Sequence, residues 1–425
     1  MAATHTVSTL TTMANLLKQV YNPGIQVATK EQVTLLNLME TRVGKQDYGG
    51  SGFRIPLEFN NMGSTGFRAE AGELPDATPG TWAQTVVPCY YGYFTTCVSG
   101  QAMAFTDGDK FAWANAWQKE LASKTRSWRQ HLNRVLNGDG NGILAQVDGS
   151  PSGTTITLDN AYGLSGLNNS DVNGGRFISP NMKVDFYTGS TIRDTGGVLI
   201  TAYTRGAFPS TSATITVSGT ITGVSDGDYM YVAGSYGHEA PGMQLLVDDG
   251  TEAVTFQSLS TTTYPEWKSH VGYGSTPGTA EAFTDNRFMT LKTEIEDNGG
   301  GMVDWGYTSP AVWLSIANTI NAERQYVNVE KPDTAYTGDS ITKAGVPIYK
   351  DSYCVDHLFL VDNRALAIHE AMPAGFIEQM DSGVVYRYGN TDQWAANYGW
   401  YFAPAVKNRQ WLGKMVDIDV TSNFI

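Results

Sequence analysis

"GGSGFRIPLEFNNMGSTGFRAEAGELPDATPGTWAQTVVPCYYGYFTTC", residues 49 to 97, is the stretch whose reading decides the fold. Phe53, Ile55, Leu57 and Phe59 alternate with Arg54, Pro56 and Glu58, the period of two expected of a strand. A second extended run starts at Trp82 and continues through Tyr93. Roughly twenty turn-rich residues separate the two runs, too many for a structureless link inside a compact domain. A two-stranded ribbon is also marginal in water by itself. Both objections fall away if the ribbon projects and lies across a neighbouring subunit, so that its apolar side chains leave water only on assembly.

Upstream, residues 8 to 21 and 29 to 42 read as two short helices split by Asn22-Pro23-Gly24. The first spaces Leu10, Met13, Leu17 and Val20 helically; the second groups Val33, Leu36, Met39 and Glu40. Each is too short to be stable alone, so they read as an arm that needs a surface to lie on.

Downstream, residues 109 to 137 give the clearest helix. Phe111, Ala114, Trp117, Leu121, Trp128, Leu132 and Val135 recur at steps of three and four, with Thr125 filling one gap. Asp107 or Asp109 caps the start and Gly138 follows the end. At 1.5 Å per residue the helix is roughly 44 Å long. Its other face carries Lys110, Lys119, Lys124, Arg126, Arg129 and Arg134 against Asp109 and Glu120. That face either looks toward nucleic acid or pairs with acidic segments of the same protein.

From 151 to 274 the chain turns Gly, Ser and Thr rich, with short β-prone runs between turn signals. This reads as a small β-barrel or sandwich with its own core, and it holds eleven acidic against five basic residues. Beyond 280, "TDNRFMTLKTEIEDNGGG" reads as a helix and "MVDWGYTSPAVWLSIANTI" as strand, turn and helix, with Ser309 as cap and Pro310 first in the helix. "YFAPAVKNRQWLGKMVDIDV", 401 to 420, reads as a hairpin.

The whole chain of 425 residues is 41% hydrophobic, which excludes disorder, and only 16% charged. A chain so poor in charge, with 46 Gly, 22 Tyr and 10 Trp, suits large subunit contacts. A formal charge of −14 does not fit a protein that grips nucleic acid through phosphates. Cys89 and Cys97, about 26 Å apart in one extended strand, cannot pair within it. The first twenty residues lack the basic flank and apolar core of a signal peptide, and no apolar run reaches a membrane span. The chain is expected to be made and kept in a cytoplasm.

"AGVPIYKDSYCVDHLFLVDNRALAIHEA", 344 to 371, gathers Cys354, His357, Asp362, His369 and Glu370, residue types that bind metals and move protons. Cys354 and His357 are an odd number apart on a stretch read as extended, hence on opposite faces. Asp362 reads as the cap of a helix from Asn363, with His369 and Glu370 in its last turn. Without paired Cys-x-x-Cys spacing, a structural role is expected rather than a metal site. "NGDGNG" and "DVNGG" lack the Glu that completes a calcium loop and read as turns. No phosphate loop, G-x-S-x-G elbow or H-E-x-x-H motif occurs; neither an enzyme nor a cofactor is expected.

In this order of parts the sequence resembles tailed-phage major capsid proteins of the Hong Kong ninety-seven-like fold, shared with encapsulins. The stretches that carry the resemblance are the arm, the extended loop, and the long helix ending in "LNGDGNGIL". To these are added "GGGMVDWGYTSPAVWLSIANT" and "GVPIYKDSYCVDHLFLVDNRAL". It implies an α+β subunit: N-terminal arm 1–45, E-loop 46–96, peripheral domain 97–150 with its spine helix, and inserted β-rich domain 151–274. An axial domain and return over 275–380 and C-terminal strands over 381–425 complete it. It further implies self-assembly as pentamers and hexamers into an icosahedral shell around double-stranded DNA, held by enclosure, in a virion capsid assembled in the host cytoplasm. Portal, scaffold and decoration proteins are the further partners it suggests, with no membrane. Subunit contacts would fall on Leu10, Leu17, Phe53, Arg54, Ile55, Leu57, Glu58, Phe59, Arg68, Glu70 and Glu73. The spine core would be Phe111, Trp117, Leu121, Trp128, Leu132 and Val135, with Lys119, Lys124, Arg126, Arg129 and Arg134 toward DNA. Some relatives cross-link through an E-loop lysine, yet Gln46 to Thr96 contains none, so a shell without that bond is expected. An encapsulin compartment and a secreted β-rich carbohydrate-binding or carbohydrate-active protein are the alternatives.

Overall fold

The computed structural model of the protein describes residues 34–40, 43–44, 52–59, 64–102, 116–164, 174–193, 196–205, 212–323, 336–337, 340–378, 384–387 and 391–420. The helix expected over 8–21 and the spine-helix residues before 116 lie outside them. In the second arm helix, Thr34–Glu40 is helical (α1).

A first sheet is built on the long strand β22 (Gln393–Val406). Along one side it pairs with β20 (Leu366–Phe376) and β21 (Tyr386–Arg387), and β20 in turn takes β1 (Val43–Gly44) in parallel. Along its other side β4 (Tyr90–Ser99) pairs antiparallel over ten positions without a register shift. The spine helix α2 (Ala116–Asn137) lies against this sheet. Trp128 comes so close to β4 that a Cβ at Gly92 would stand 2.4 Å from its ring, so the crossing needs glycine there. The tight "NGDGNG" turn follows, with Gly140 and Gly142 at φ of 88° and 83° and the Asp139 carboxylate accepting from the Asn141 amide.

The β-rich block closes on itself. Strands β5 (Ile143–Ser152), β6 (Thr155–Ala161), β10 (Ala213–Val217), β9 (Val198–Arg205), β7 (Lys183–Thr188) and β11 (Tyr229–Val232) pair in that order, and β11 returns to β5. β8 (Thr191–Ile192) hangs from β7. Of the two forms open from sequence this is the barrel, which leaves no long unpaired edge. Its interior is apolar: Leu144, Ile156, Leu158, Phe186, Ile200 and Ile215 are fully buried. The composition groups residues 240 to 267 with this block, yet Met243, Leu246, Phe256 and Trp267 pack into the main core with the spine helix instead. Short polar turns give that segment the barrel's composition without its contacts.

A second seven-stranded sheet runs β14 (His270–Gly272), β23 (Leu412–Met415), β19 (Leu358–Val361), β15 (Trp305–Thr308), β18 (Val346–Lys350), β17 (Ser340–Lys343) and β16 (Tyr336–Thr337). Helix α4 (Asp285–Asp297) starts where Thr284 accepts from the Arg287 amide, and it buries Phe288, Leu291 and Ile295. Helix α5 (Pro310–Glu323) starts as read, with the Ser309 hydroxyl accepting from the Val312 amide.

Two expectations are corrected. Asn363 opens no helix: residues 363 to 365 turn and β20 begins at Leu366, because this segment completes a ladder with β22. The hairpin over 401–420 does not form either, since β22 and β23 belong to different sheets joined by a short 3-10 turn at Arg409–Trp411.

Candidate assembly surfaces

The ribbon pairs β2 (Gly52–Phe59) with β3 (Thr81–Pro88) over eight positions. Its apolar face turns toward its own chain, and for Phe53 and Phe59 this corrects the expectation that they leave water only on assembly. Phe53, 3% exposed, stacks on His369 at 5.2 Å and packs with Ala403 and Ala405. Phe59 stacks on Tyr264 at 4.9 Å, and Ile55 and Leu57 are half-buried. Small residues on β22 let the ribbon settle there, and the Val86 amide donates to the Gln257 carbonyl at 3.1 Å. Arg54 and Glu58 point outward.

The loop between the strands behaves otherwise. Phe67 is 104% and Leu74 85% exposed, with Trp82 at the loop's root 66% exposed. The loop is nevertheless braced. The Ser64 hydroxyl accepts from the Thr78 amide at 2.7 Å, and the Arg68 Nε donates to the Glu73 carbonyl at 2.9 Å. Arg68, Glu70 and Glu73 are all exposed on it.

The arm is rooted on the spine helix. Leu35, Leu36 and Met39 are buried, and the backbone there meets a polar junction inside the core. Asp351 accepts from Asn133 Nδ2 at 2.8 Å, from the Leu35 amide at 3.3 Å and from the Tyr353 amide at 2.8 Å. Asn133 Oδ1 accepts from the Leu36 amide at 3.0 Å, and Tyr307 Oη donates to Asn137 Oδ1 at 2.8 Å. Sequence reasoning missed this junction. Its signal was two asparagines one turn apart, Asn133 and Asn137, inside an apolar stripe. Leu10 and Leu17 lie outside the described residues.

On the spine helix Leu132 and Val135 are buried and Leu121 and Trp128 half-buried; Phe111 and the side chains of Trp117 and Lys119 lie outside the described residues. Lys124 pairs with Glu120 at 3.7 Å and Arg129 donates to Asn37 at 2.7 Å; Arg126 is half-buried. Arg134 does not face DNA: it is 3% exposed and forms an ion pair with buried Glu239. The helix's last turn has already entered the core at that point.

Around 354 to 370 the polar residues have separate partners. Residues 351 to 357 turn rather than extend, placing Cys354 in the main core. His357 is buried, and neither ring nitrogen has a hydrogen-bond partner among the described residues. Burial, and then the charge of Lys414, pull its pKa down to about 3. Asp356 accepts from Ser309, but burial raises its pKa. Burial disfavours charge on Asp362, yet its bonds from Arg364 and the Met302 amide outweigh that and hold its carboxyl low. Glu370 accepts from Trp400 Nε1 at 2.9 Å. No group of three or more potential ligands is placed to hold a metal among the described residues.

No family model and no curated protein matches the sequence. Among solved structures, a chain of the Cyanophage A-1(L) capsid asymmetric unit is similar over 96% of this chain and 99% of its own, with a TM-score of 0.58 and 14% identity. A Mycobacterium phage Bobi chain aligns over 96% and 98% with a TM-score of 0.45 and 11% identity. One from the capsid of a native gene transfer agent particle aligns over 95% and 96% with a TM-score of 0.48 and 8% identity. With its rooted arm, braced projecting loop, spine helix and paired sheets, the chain has the Hong Kong ninety-seven-like fold of tailed-phage major capsid proteins.

Proposed function

We propose that the protein is the major shell subunit of a phage capsid, assembling as pentamers and hexamers into an icosahedral container for double-stranded DNA. The observation that carries this reading is the near-complete overlap with a cyanophage capsid chain, 96% of one on 99% of the other. The loop at 64 to 80 supports it. It is ordered, yet it holds Phe67 and Leu74 in water with no contact to its own core. Many modest contacts of this kind add across a symmetric lattice.

The division into arm, loop, spine, inserted barrel and axial region belongs to the same reading. The barrel would run from Ile143 to Val232 and the main body resume near Ala240. DNA is held by enclosure, since the chain is acidic overall and, among the described cations of its spine helix, Lys124, Arg129 and Arg134 have partners within the chain.

Negative-stain microscopy of the expressed protein tests the reading: closed shells are expected, and a monomer at all concentrations sinks it. Purified shells that hold cargo protein in place of DNA would point to a compartment instead. Because Gln46 to Thr96 carries no lysine amine, boiled denaturing gels of the shells should run at 46.1 kDa. A covalent ladder would refute the absence of cross-linking from this loop.

A further inference from the structure

The barrel meets the body at a foot, residues 174–178 between β6 and β7. Phe177 packs there against the apolar core of the barrel and against that of the body. Its ring lies 4.7 Å from that of Tyr162 and stacks on Tyr353 at 5.7 Å. Tyr162 Oη shares its hydrogen between the Tyr353 carbonyl at 2.9 Å and the Arg134 carbonyl at 3.2 Å. Rings and a hydroxyl therefore hold the two units together at this point.

Two buried groups at the foot each lack what the other can supply. The Arg176 guanidinium stands over the Phe177 ring, 5.9 Å from its centroid, and its Nη1 is buried with no hydrogen-bond partner among the described residues. On the body side Asp356 is buried; it accepts from the Ser309 hydroxyl, while its Oδ2 has no partner among the described residues. Ser309 in turn caps α5, so Asp356 stands one bond from the first turn of that helix. The charge of Arg176 acts on the Asp356 carboxyl, which places the two orphaned groups near one another. A buried donor and a buried acceptor left unmade are each costly, and one charge-assisted bond satisfies both.

We infer that Arg176 and Asp356 are the halves of a latch: a turn of the Arg176 side chain brings Nη1 onto Oδ2 and ties the foot of the barrel to the head of α5. The form described above is the open one. The latch stands whether or not the chain builds a shell. Its closure follows the charge of Asp356. Burial favours the neutral carboxyl, which draws no guanidinium in; above the raised pKa the carboxylate forms and the latch closes, and acid opens it again. The neighbouring groups do not compete for Arg176. Burial keeps Cys354 a thiol, His357 neutral and Tyr162 a phenol. Asp351 is occupied by Asn133 and the Leu35 and Tyr353 amides, and Lys414 is turned to Asp248.

Amide hydrogen exchange in the full chain, corrected for the intrinsic effect of pH on exchange, tests the latch from about pH 4 to about pH 8. The reporters are the Ile178 amide in the foot and the Cys354 amide in the turn, which donate to the carbonyls of Gly175 and Asp351. In the parent, peptides holding these two amides should gain protection together as pH rises. In Asp356→Asn the foot should stay at its acid-end rate. In Arg176→Met the turn should lose about tenfold in protection at the neutral end, where its carboxylate is charged without a partner. Arg176→Lys, which keeps the charge, should restore part of the response. If Asp356→Asn does not fold, the contrast between Arg176→Met and Arg176→Lys carries the test. A foot and turn that follow pH in Arg176→Met as they do in the parent overturn the latch. So does an equal loss of protection at every pH, which would leave Arg176 a packing residue alone.

Discussion

Gly92 shows how much a single position decides. It lies where the spine helix crosses the first sheet, and any side chain there would collide with the Trp128 ring. Gly92→Ala should therefore lower stability by about 1–3 kcal/mol, the usual cost of overpacking, read as a fall in the urea midpoint. A mutant within error of the parent would mean that Trp128 swings away freely. His357 gives a second residue-scale expectation, in pH. Its folded pKa of about 3 lies below the ordinary value of 6.5, so the unfolded chain takes up a proton that the native one refuses. Stability from this group is complete above pH 6.5 and falls as pH drops toward 3, by up to about 1.4 kcal/mol per pH unit. Asp356 works in the opposite sense: its raised pKa favours the native state in acid and loses that contribution as pH rises through the folded value. In His357→Gln, thermal melts across this range should slope less steeply than in the parent; an unchanged slope removes His357 as the cause. At this scale the Ser309 cap was legible, because it acts within its own turn. Asp362 was not, because "NRALAIHEA" has helix-favouring composition and only its pairing with β22 makes it a strand.

Among the elements, the spine helix was the most readable, since its apolar stripe repeats over several turns and, of its described residues, Leu132 and Val135 are buried as the repeat requires. Its charged face was less so. Arg134 shares spacing with the solvent cations, and only the arrival of residue 239 from beyond the barrel shows that it is inside. Removing one partner of that pair, as Arg134→Met or Glu239→Gln, leaves the other buried without its counter-charge. Each single change should cost about 3–5 kcal/mol and the double change distinctly less than the sum, by denaturant titration. Additive costs would mean the two residues act independently. The ribbon teaches a different limit. Alternation identifies which face is apolar, and it did so correctly for Phe53 and Phe59, but it contains nothing about which surface covers that face. The misread hairpin over 401–420 has the same origin: adjacency in sequence does not reveal that a 3-10 turn hands the chain from one sheet to another.

For the molecule as a whole, the order of parts was legible because each has its own texture, while the contacts that join them were not. The loop tip separates folding from assembly in a way that can be measured. Phe67→Asp touches no packed contact, so the monomer's stability should stay within about 0.5 kcal/mol of the parent. Shell formation, followed by light scattering, should need a much higher protein concentration. Equal assembly by the mutant would show that the tip is idle. The barrel has a consequence of another kind. Its incoming strand β5 and outgoing strand β11 are hydrogen-bonded neighbours, with Met230 opposite Ala145, so the chain leaves and rejoins the body at nearly one point. A cassette whose two ends meet should be exchangeable: a foreign domain with adjoining termini grafted there is expected to leave the frame around it uncut.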